Sequence, residues 1–138
     1  MKKIVLTSIV FFAQIAYSHA QCPEDVSSTQ KAICAANMSY TESVDLLNKH
    51  YEQLLSIFDQ QIKEENYIVN FKEMKSSLVA SQAAWLAYIE SQCLYKNSIE
   101  SSTSGAPELE YICKEEFIKE RSAFLLNEIE EWKDGSLK

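Results

Sequence analysis

Apolar residues recur through most of the chain every three or four positions, which is the spacing of one face of an α-helix. No stretch shows the strict alternation of a half-buried strand. The first helix is predicted to run from about residue 28 or 29 to about Lys63. A break near Asn37 stays open, because Ser39 and Glu42 have the spacing of a capping box. The apolar stripe of this helix consists of Ile33, Asn37, Tyr40, Val44, Leu47, Tyr51, Leu54 and Phe58.

Two further stretches follow the helical spacing. The second helix is predicted to begin after a cap at Asn66 or Asn70. The third is predicted to run from about Pro107, which suits a first helical turn, to about Lys133. We expect the tryptophans and Tyr88 of these stretches to lie in the core. The stripe of the second helix consists of Phe71, Met74, Leu78, Ser81, Trp85, Tyr88, Gln92 and Tyr95. The apolar face of the third consists of Phe117, Ile118, Phe124, Leu125, Ile129 and Trp132.

The glycine and proline content agrees with a few long helices joined by few turns. The chain has 138 residues with two glycines and two prolines, too few for the turns of a sandwich or barrel of short strands. Its length favours one domain, and its apolar fraction is typical of globular proteins. We therefore predict an all-α fold, an antiparallel three-helix bundle of long helices.

The first twenty residues have the features of a secretory signal peptide. Two lysines precede an apolar run over residues 4–15, and the small residues Ser18 and Ala20 precede the expected cleavage site. The run is too short to span a bilayer comfortably, and the residues before Cys22 do not match those before a lipid-modified cysteine. We expect cleavage after residue 20, with no stable membrane anchor afterwards. The remaining single domain, residues 21–138, is expected to be periplasmic or secreted, in a bacterium.

All four cysteines lie in the part of the chain that is predicted to be exported. An even number of cysteines in a small exported domain indicates disulfides, and zinc is disfavoured because no C-x-x-C pair is present. Helix polarity brings all four to one end of the bundle, which we call the disulfide pole. Pairing Cys22 with Cys34 and Cys93 with Cys113 needs the least chain movement and is preferred, while the other two connectivities stay open.

One long irregular segment is predicted over residues 96–108, between the last two cysteines. It is rich in serine. A loop closed by a disulfide on a rigid scaffold is a candidate binding element, and a solvated crossover loop is the alternative. The candidate partner-contacting residues are Glu100, Ser102, Ser104, Gly105 and Glu108.

Charge and residue types disfavour several kinds of function. The net charge of −7 becomes −9 when the signal peptide leaves with its two lysines, which argues against binding nucleic acid through phosphate contacts. A nucleophile–base site would need His50, the only histidine outside the signal peptide. Because His50 falls off the predicted stripe, we expect it on the surface. No catalytic, metal or cofactor site is predicted, and the protein is not expected to be an enzyme.

Arg121 is the only arginine in the chain. The helical pattern places it toward the core side of the third helix. We favour a structural role, in which its guanidinium forms a bidentate pair with a carboxylate and bridges two helices. A partner-binding role is the alternative.

Three groups of residues occur in an order and spacing that a known family shares. The motif residues are Gln82, Trp85, Tyr88 and Cys93 in the middle, Cys34, Leu47, Asn48 and Tyr51 upstream, and Cys113, Arg121 and Leu125 downstream. Over about residues 22–126, this order resembles the LprI-type lysozyme inhibitor N-terminal domain family. The sequence departs from the family pattern at Ile89 and Ala84, where basic residues are usual, and in a reduced loop at Ser104–Gly105.

The resemblance implies an exported, non-enzymatic helical domain that binds a lysozyme or a related peptidoglycan-cleaving enzyme and blocks its cleft. It also implies a structural role for the motif residues. The implied partner is a basic protein such as a c-type lysozyme, and the charge of −9 would speed encounter with it. The alternative function is a periplasmic immunity protein or envelope accessory protein with a different protein partner. An adjacent toxin gene would favour immunity.

Overall fold

The computed structural model describes residues 22–64, 69–100 and 106–135. This part of the chain contains three long helices and no strand: α1 (Ser28–Lys63), α2 (Phe71–Glu100) and α3 (Ala106–Asp134). The all-α prediction is thus confirmed. The signal-peptide prediction falls on residues 1–20, which lie outside the described residues. Within the described residues, no helix has an apolar stretch long enough to cross a membrane.

Local side-chain hydrogen bonds explain where α1 and α2 begin. The Ser27 hydroxyl accepts the Gln30 N–H at 3.3 Å, while the Gln30 side-chain oxygen accepts the Ser27 N–H at 3.1 Å, which completes a capping box. The Asn70 side-chain oxygen accepts the Glu73 N–H at 3.2 Å in the same way. The break considered near Asn37 is absent, since α1 is continuous through that position.

Contacts between the helices establish an up-down-up bundle in which α1 and α3 run in the same direction. Ser39, His50 and Phe58 of α1 contact Glu115, Ser122 and Trp132 of α3, in the same order along both helices. The helix α2 runs antiparallel to both, and α1 and α3 share the largest interface. The core residues are Leu47, Leu54, Phe58, Phe71, Ile89, Ile118, Leu125, Ile129 and Trp132.

Three aromatic rings close the bundle at the pole opposite the disulfides. The ring of Trp132 lies 5.3 Å from that of Phe71 and 5.9 Å from that of Phe58, between ring centroids. The Phe58 and Phe71 rings are 6.1 Å apart. Each helix contributes one ring, so this cluster joins all three helices beside the α1–α2 connection.

Both disulfides form with the preferred pairing. Cys22 pairs with Cys34 across a Cα–Cα distance of 5.8 Å, and Cys93 pairs with Cys113 across 5.7 Å. Cys34 lies near the start of α1, Cys93 near the end of α2 and Cys113 near the start of α3. The prediction that both bridges lie at one pole is therefore confirmed.

The predicted apolar stripes are partly wrong in the faces that they assign to the core. Tyr88 is 53% exposed and Tyr95 is also exposed, whereas Ile89, next to Tyr88, is buried. Phe124 of α3 is 51% exposed beside the fully buried Leu125. A seven-residue repeat drifts by about 20° per repeat relative to a straight α-helix, so a stripe chosen with that repeat leaves the core after a few turns.

His50 is buried, which corrects the expectation that it lies on the surface. Its side chain is 8% exposed, and its Nδ1 lies 2.9 Å from the Ser122 hydroxyl and 3.1 Å from the Ser122 carbonyl oxygen. The nearby Ser43 is buried as well. Because α1 packs against α3 along much of its length, its buried face is wider than a single stripe and includes these polar residues.

The long loop predicted over residues 96–108 is also corrected. The helix α2 continues through Glu100 and α3 already begins at Ala106, so most of the predicted loop is helical, and residues 101–105 lie outside the described part. Contacts between the two helices extend past the Cys93–Cys113 bridge, since the Asn97 amide donates to the Glu110 carboxylate at 3.3 Å. The Ser98 hydroxyl donates to the Tyr95 carbonyl oxygen at 2.7 Å, so this serine bonds back to the helix backbone and does not break the helix.

Candidate functional site

Arg121 lies at the interface of α2 and α3, where it is half-buried. Its Nε donates to the Gln82 side-chain oxygen at 3.1 Å, and its Nη2 donates to the Ser81 hydroxyl at 3.1 Å. Arg121 therefore bridges two helices as predicted, but its partners are neutral. No carboxylate among the residues that the structure describes forms an ion pair with it, which corrects the expected bidentate pair.

Aromatic rings flank the guanidinium of Arg121. Its central carbon lies 5.2 Å from the centroid of Phe124 and 5.9 Å from that of Trp85, both within the range of cation–π attraction. Trp85 is half-buried and also packs against the core, whereas Phe124 is exposed over half of its surface. An arginine carries five N–H donors, and two nitrogens are used in protein hydrogen bonds here.

A second aromatic pair continues this surface toward the disulfide pole. The Tyr88 and Phe117 rings meet edge to face at 5.8 Å, and the Lys96 amine lies 5.8 Å from the Phe117 centroid. Phe117 and Arg121 are neighbours on α3, because residues four apart lie on one helix face. We call the surface formed by Trp85, Tyr88, Phe117, Arg121 and Phe124 the arginine–aromatic patch.

Arg121 is the charged group at the centre of the patch. Partial burial lowers the pKa of Arg121, while the nearby Tyr51 side chain of α1 raises it. The guanidinium nevertheless stays charged near neutral pH, since arginine is effectively always protonated in proteins. The patch is thus cationic on a chain whose net charge is −7.

Two carboxylate–lysine networks hold α3 to its neighbours outside the patch. Lys114 pairs with Glu90 and with Glu110, each at 2.8 Å. Burial lowers the pKa of Lys114, but hydrogen bonds to these two carboxylates outweigh it and raise the pKa overall. In the second network, Glu115 accepts the Ser39 hydroxyl at 2.7 Å and pairs with Lys119, and these contacts lower the pKa of Glu115.

A comparison with family models identifies the family of this chain. The model of the lysozyme inhibitor LprI family matches residues 15–125. The chain belongs to the LprI lysozyme inhibitor family. The match includes α1, α2, both disulfides and Arg121. A search of curated proteins and a search of solved structures each found no match.

The structure brings together several residues of the LprI motif that are far apart in sequence. Gln82, Trp85 and Tyr88 of α2 and Arg121 of α3 all contribute to the patch or to the hydrogen bonds beneath it. Tyr51 is half-buried near Arg121. Two further motif residues lie elsewhere on α1: Leu47 is in the core and Asn48 is exposed.

The structure describes two of the five contact residues that were predicted near the disulfide pole, and they lie on different helices. Glu108 lies half-buried in the first turn of α3, and Glu100 is the last residue of α2. Ser102, Ser104 and Gly105 lie outside the described residues. The role of this set in binding stays a prediction.

Sequence reasoning missed the patch because it assigned its aromatic residues to the core. Phe124 precedes the core residue Leu125, and Phe117 precedes Ile118. The available signal was this pairing of large apolar neighbours, because adjacent helix positions point about 100° apart and only one of them can face the centre of the core. Among the residues that the structure describes, no group of three His, Cys, Asp or Glu side chains could hold a metal ion.

Proposed function

We propose that this protein is an exported, non-enzymatic inhibitor that binds a lysozyme, or a related peptidoglycan-cleaving enzyme, and blocks its cleft. Membership of the LprI family carries this proposal, since the family model is that of a lysozyme inhibitor and matches residues 15–125. Disulfides persist in oxidising compartments, so the two bridges agree with a location outside the cytoplasm.

The charge of the chain supports association with a basic enzyme. C-type lysozymes are strongly basic, while this chain carries a net charge of −7, or −9 without its first twenty residues. Opposite net charges accelerate diffusional encounter and bias it toward the right partner. The acidic surface would therefore raise the association rate, and the contact surface would supply the affinity.

The placement of His50 supports a non-enzymatic role. It is the only histidine among the described residues, and it lies inside the α1–α3 interface with its Nδ1 against Ser122. A general base must reach the proton that it abstracts from a bound substrate. A histidine buried in a helix interface does not offer that access, so inhibition by steric blocking needs fewer assumptions than catalysis.

A cell-lysis assay tests the proposal. The protein is purified after export, with both disulfides formed, and is added at increasing molar ratio to c-type and other lysozymes acting on bacterial cells. We expect lysis by at least one enzyme to fall with dose and to stop at molar excess. The same protein after reduction and alkylation is the matched control.

Undiminished lysis by every enzyme at molar excess would contradict the proposal. In that case the alternative of an immunity or envelope accessory protein gains support, and a toxin gene adjacent to this one would favour immunity.

A further inference from the structure

We infer that the arginine–aromatic patch is the surface that enters the lysozyme cleft, with Arg121 pairing with a carboxylate of the cleft. Tyr88 and Phe124 would pack against the cleft walls on either side of that pair. This inference rests on the proposed function and names the contact surface and the chemistry that it recognises.

The exposure of the aromatic residues is the first argument. Tyr88 and Phe124 each leave more than half of their surface in solvent, on a fold that buries Ile89 and Leu125 beside them. Large apolar side chains grouped on a surface often mark a site of protein contact. Tyrosine, tryptophan, phenylalanine and arginine are also the residues enriched in interface centres, and all four types occur in this patch.

The bonding state of Arg121 is the second argument. Its two hydrogen bonds across the helix interface go to neutral oxygens of Gln82 and Ser81, which orient the guanidinium without neutralising it. The rings of Trp85 and Phe124 restrict it further. A guanidinium held in place with unused donors is ready to form a bidentate pair with a carboxylate.

Charge complementarity selects the occupant. Glycoside hydrolases, with lysozyme as the standard example, place a pair of carboxylates on either side of the bond that they cleave. The patch carries Arg121, with the Lys96 amine against its Phe117 ring. An acidic inhibitor with this local cationic surface therefore matches a basic enzyme with an acidic cleft, in its overall charge and at the point of contact.

The patch is held on a rigid frame. Trp85 and Tyr88 come from α2, and the other members of the patch come from α3. The Cys93–Cys113 bridge joins these two helices one turn from Phe117. A surface that does not have to order on binding loses less entropy in the complex. The frame thus favours a preorganised contact surface.

Binding measurements with matched variants test the inference. Arg121→Gln removes the charge while keeping a polar side chain, and Phe124→Ala removes an exposed ring. Their controls are Lys49→Gln and Leu46→Ala, which change an exposed cation and an exposed apolar side chain on α1. By calorimetric titration with an inhibited lysozyme, we expect each patch variant to raise Kd on the order of tenfold or more, and each control to leave it within about twofold. Thermal unfolding followed by circular dichroism checks that every variant is folded.

A second titration addresses the carboxylate itself. A lysozyme in which the ionised member of the catalytic carboxylate pair is replaced by its amide should bind the wild-type inhibitor more weakly. The same replacement in the enzyme should leave its affinity for the Arg121→Gln inhibitor nearly unchanged. Equal losses for both inhibitors would overturn the assignment of Arg121 to this carboxylate.

The remaining outcomes separate the patch from the function. If the wild type binds lysozyme and folded Arg121→Gln and Phe124→Ala bind equally well, the inference fails while the proposed function stands. If the wild type binds no lysozyme, both fail. A dimer of this chain that Phe124→Ala dissociates, with lysozyme binding unchanged, would make a second copy the occupant and would also overturn the inference.

Discussion

The two disulfides should contribute unequally to stability, although their loop lengths are similar. Replacing Cys93 and Cys113 with alanine opens a loop between residues 20 apart in sequence. The chain-entropy relation gives about 3.3 kcal/mol for this loop and about 2.8 kcal/mol for the 12-residue separation of Cys22 and Cys34. Loop entropy alone therefore predicts a difference of about 0.5 kcal/mol.

Packing increases this difference. Cys93 is 0% exposed and Cys113 is 6% exposed, whereas Cys22 and Cys34 are only half-buried. Removing two buried sulfur atoms leaves a small cavity between α2 and α3 that costs about 1 kcal/mol or more. We expect the Cys93→Ala/Cys113→Ala variant to lose about 4–5 kcal/mol of unfolding free energy, and the Cys22→Ala/Cys34→Ala variant about 3 kcal/mol.

Urea denaturation followed by circular dichroism measures both losses. The two variants are compared with the oxidised wild type at one pH and one salt concentration, using the slope of each transition to check that unfolding is two-state. A difference of only about 0.5 kcal/mol between the two losses would refute the packing argument, because it would mean that the buried sulfur atoms contribute nothing beyond loop closure. A larger loss for the Cys22–Cys34 pair would refute the entropic ranking as well.

Three further predictions follow from individual contacts. Ile129→Ala, at a fully buried position of α3, should lower the unfolding free energy by about 3 kcal/mol in urea denaturation, and a loss below about 1 kcal/mol would show that its site collapses around the smaller side chain. Ser122→Ala should lower the unfolding free energy by about 1 kcal/mol, because His50 keeps the Ser122 carbonyl oxygen as a hydrogen-bond partner. His50→Ala should lower it further, because that substitution also leaves a cavity, and the reverse order would disprove this account. The folded-state pKa of Glu115 is lowered from its ordinary value of 4.5, so its stabilisation is complete above pH 4.5 and is lost as the pH falls below it. As the pH is lowered through and below 4.5, the denaturation midpoint should therefore fall less steeply for Glu115→Gln than for the wild type. Identical slopes against pH would contradict a stabilising role for the ionised Glu115 carboxylate.

The helices themselves were predictable from local pattern. Residues between Pro23 and Gly105 include no glycine or proline, and apolar residues recur through them at helical spacing, so long helices were the expected outcome. The start of α1 and the cap at Asn70 were also within reach, because capping depends on residues three positions apart. Once the helix directions alternate, the positions of the cysteines along them bring both bridges to one pole.

The candidate site was less predictable, because it depends on which side of each helix the neighbouring helices cover. The motif residues Gln82, Trp85, Tyr88 and Arg121 were singled out by resemblance, but their grouping around one guanidinium appears only when α2 and α3 are packed together. The prediction of a carboxylate partner for Arg121 was wrong. Residue type indicates which groups a guanidinium binds most strongly, but the packing of α2 against α3 decides which groups lie within hydrogen-bond distance.

The sequence by itself determined three long helices and their order, because propensity, periodicity and capping act over a few residues. It favoured the local pairing of the cysteines, and the structure decided that pairing. The tertiary structure decided that His50 is buried against Ser122 and that Tyr88 and Phe124 face solvent. A helix turns by 100° per residue, so adjacent residues belong to different faces, and only the positions of the other two helices decide which face becomes the core.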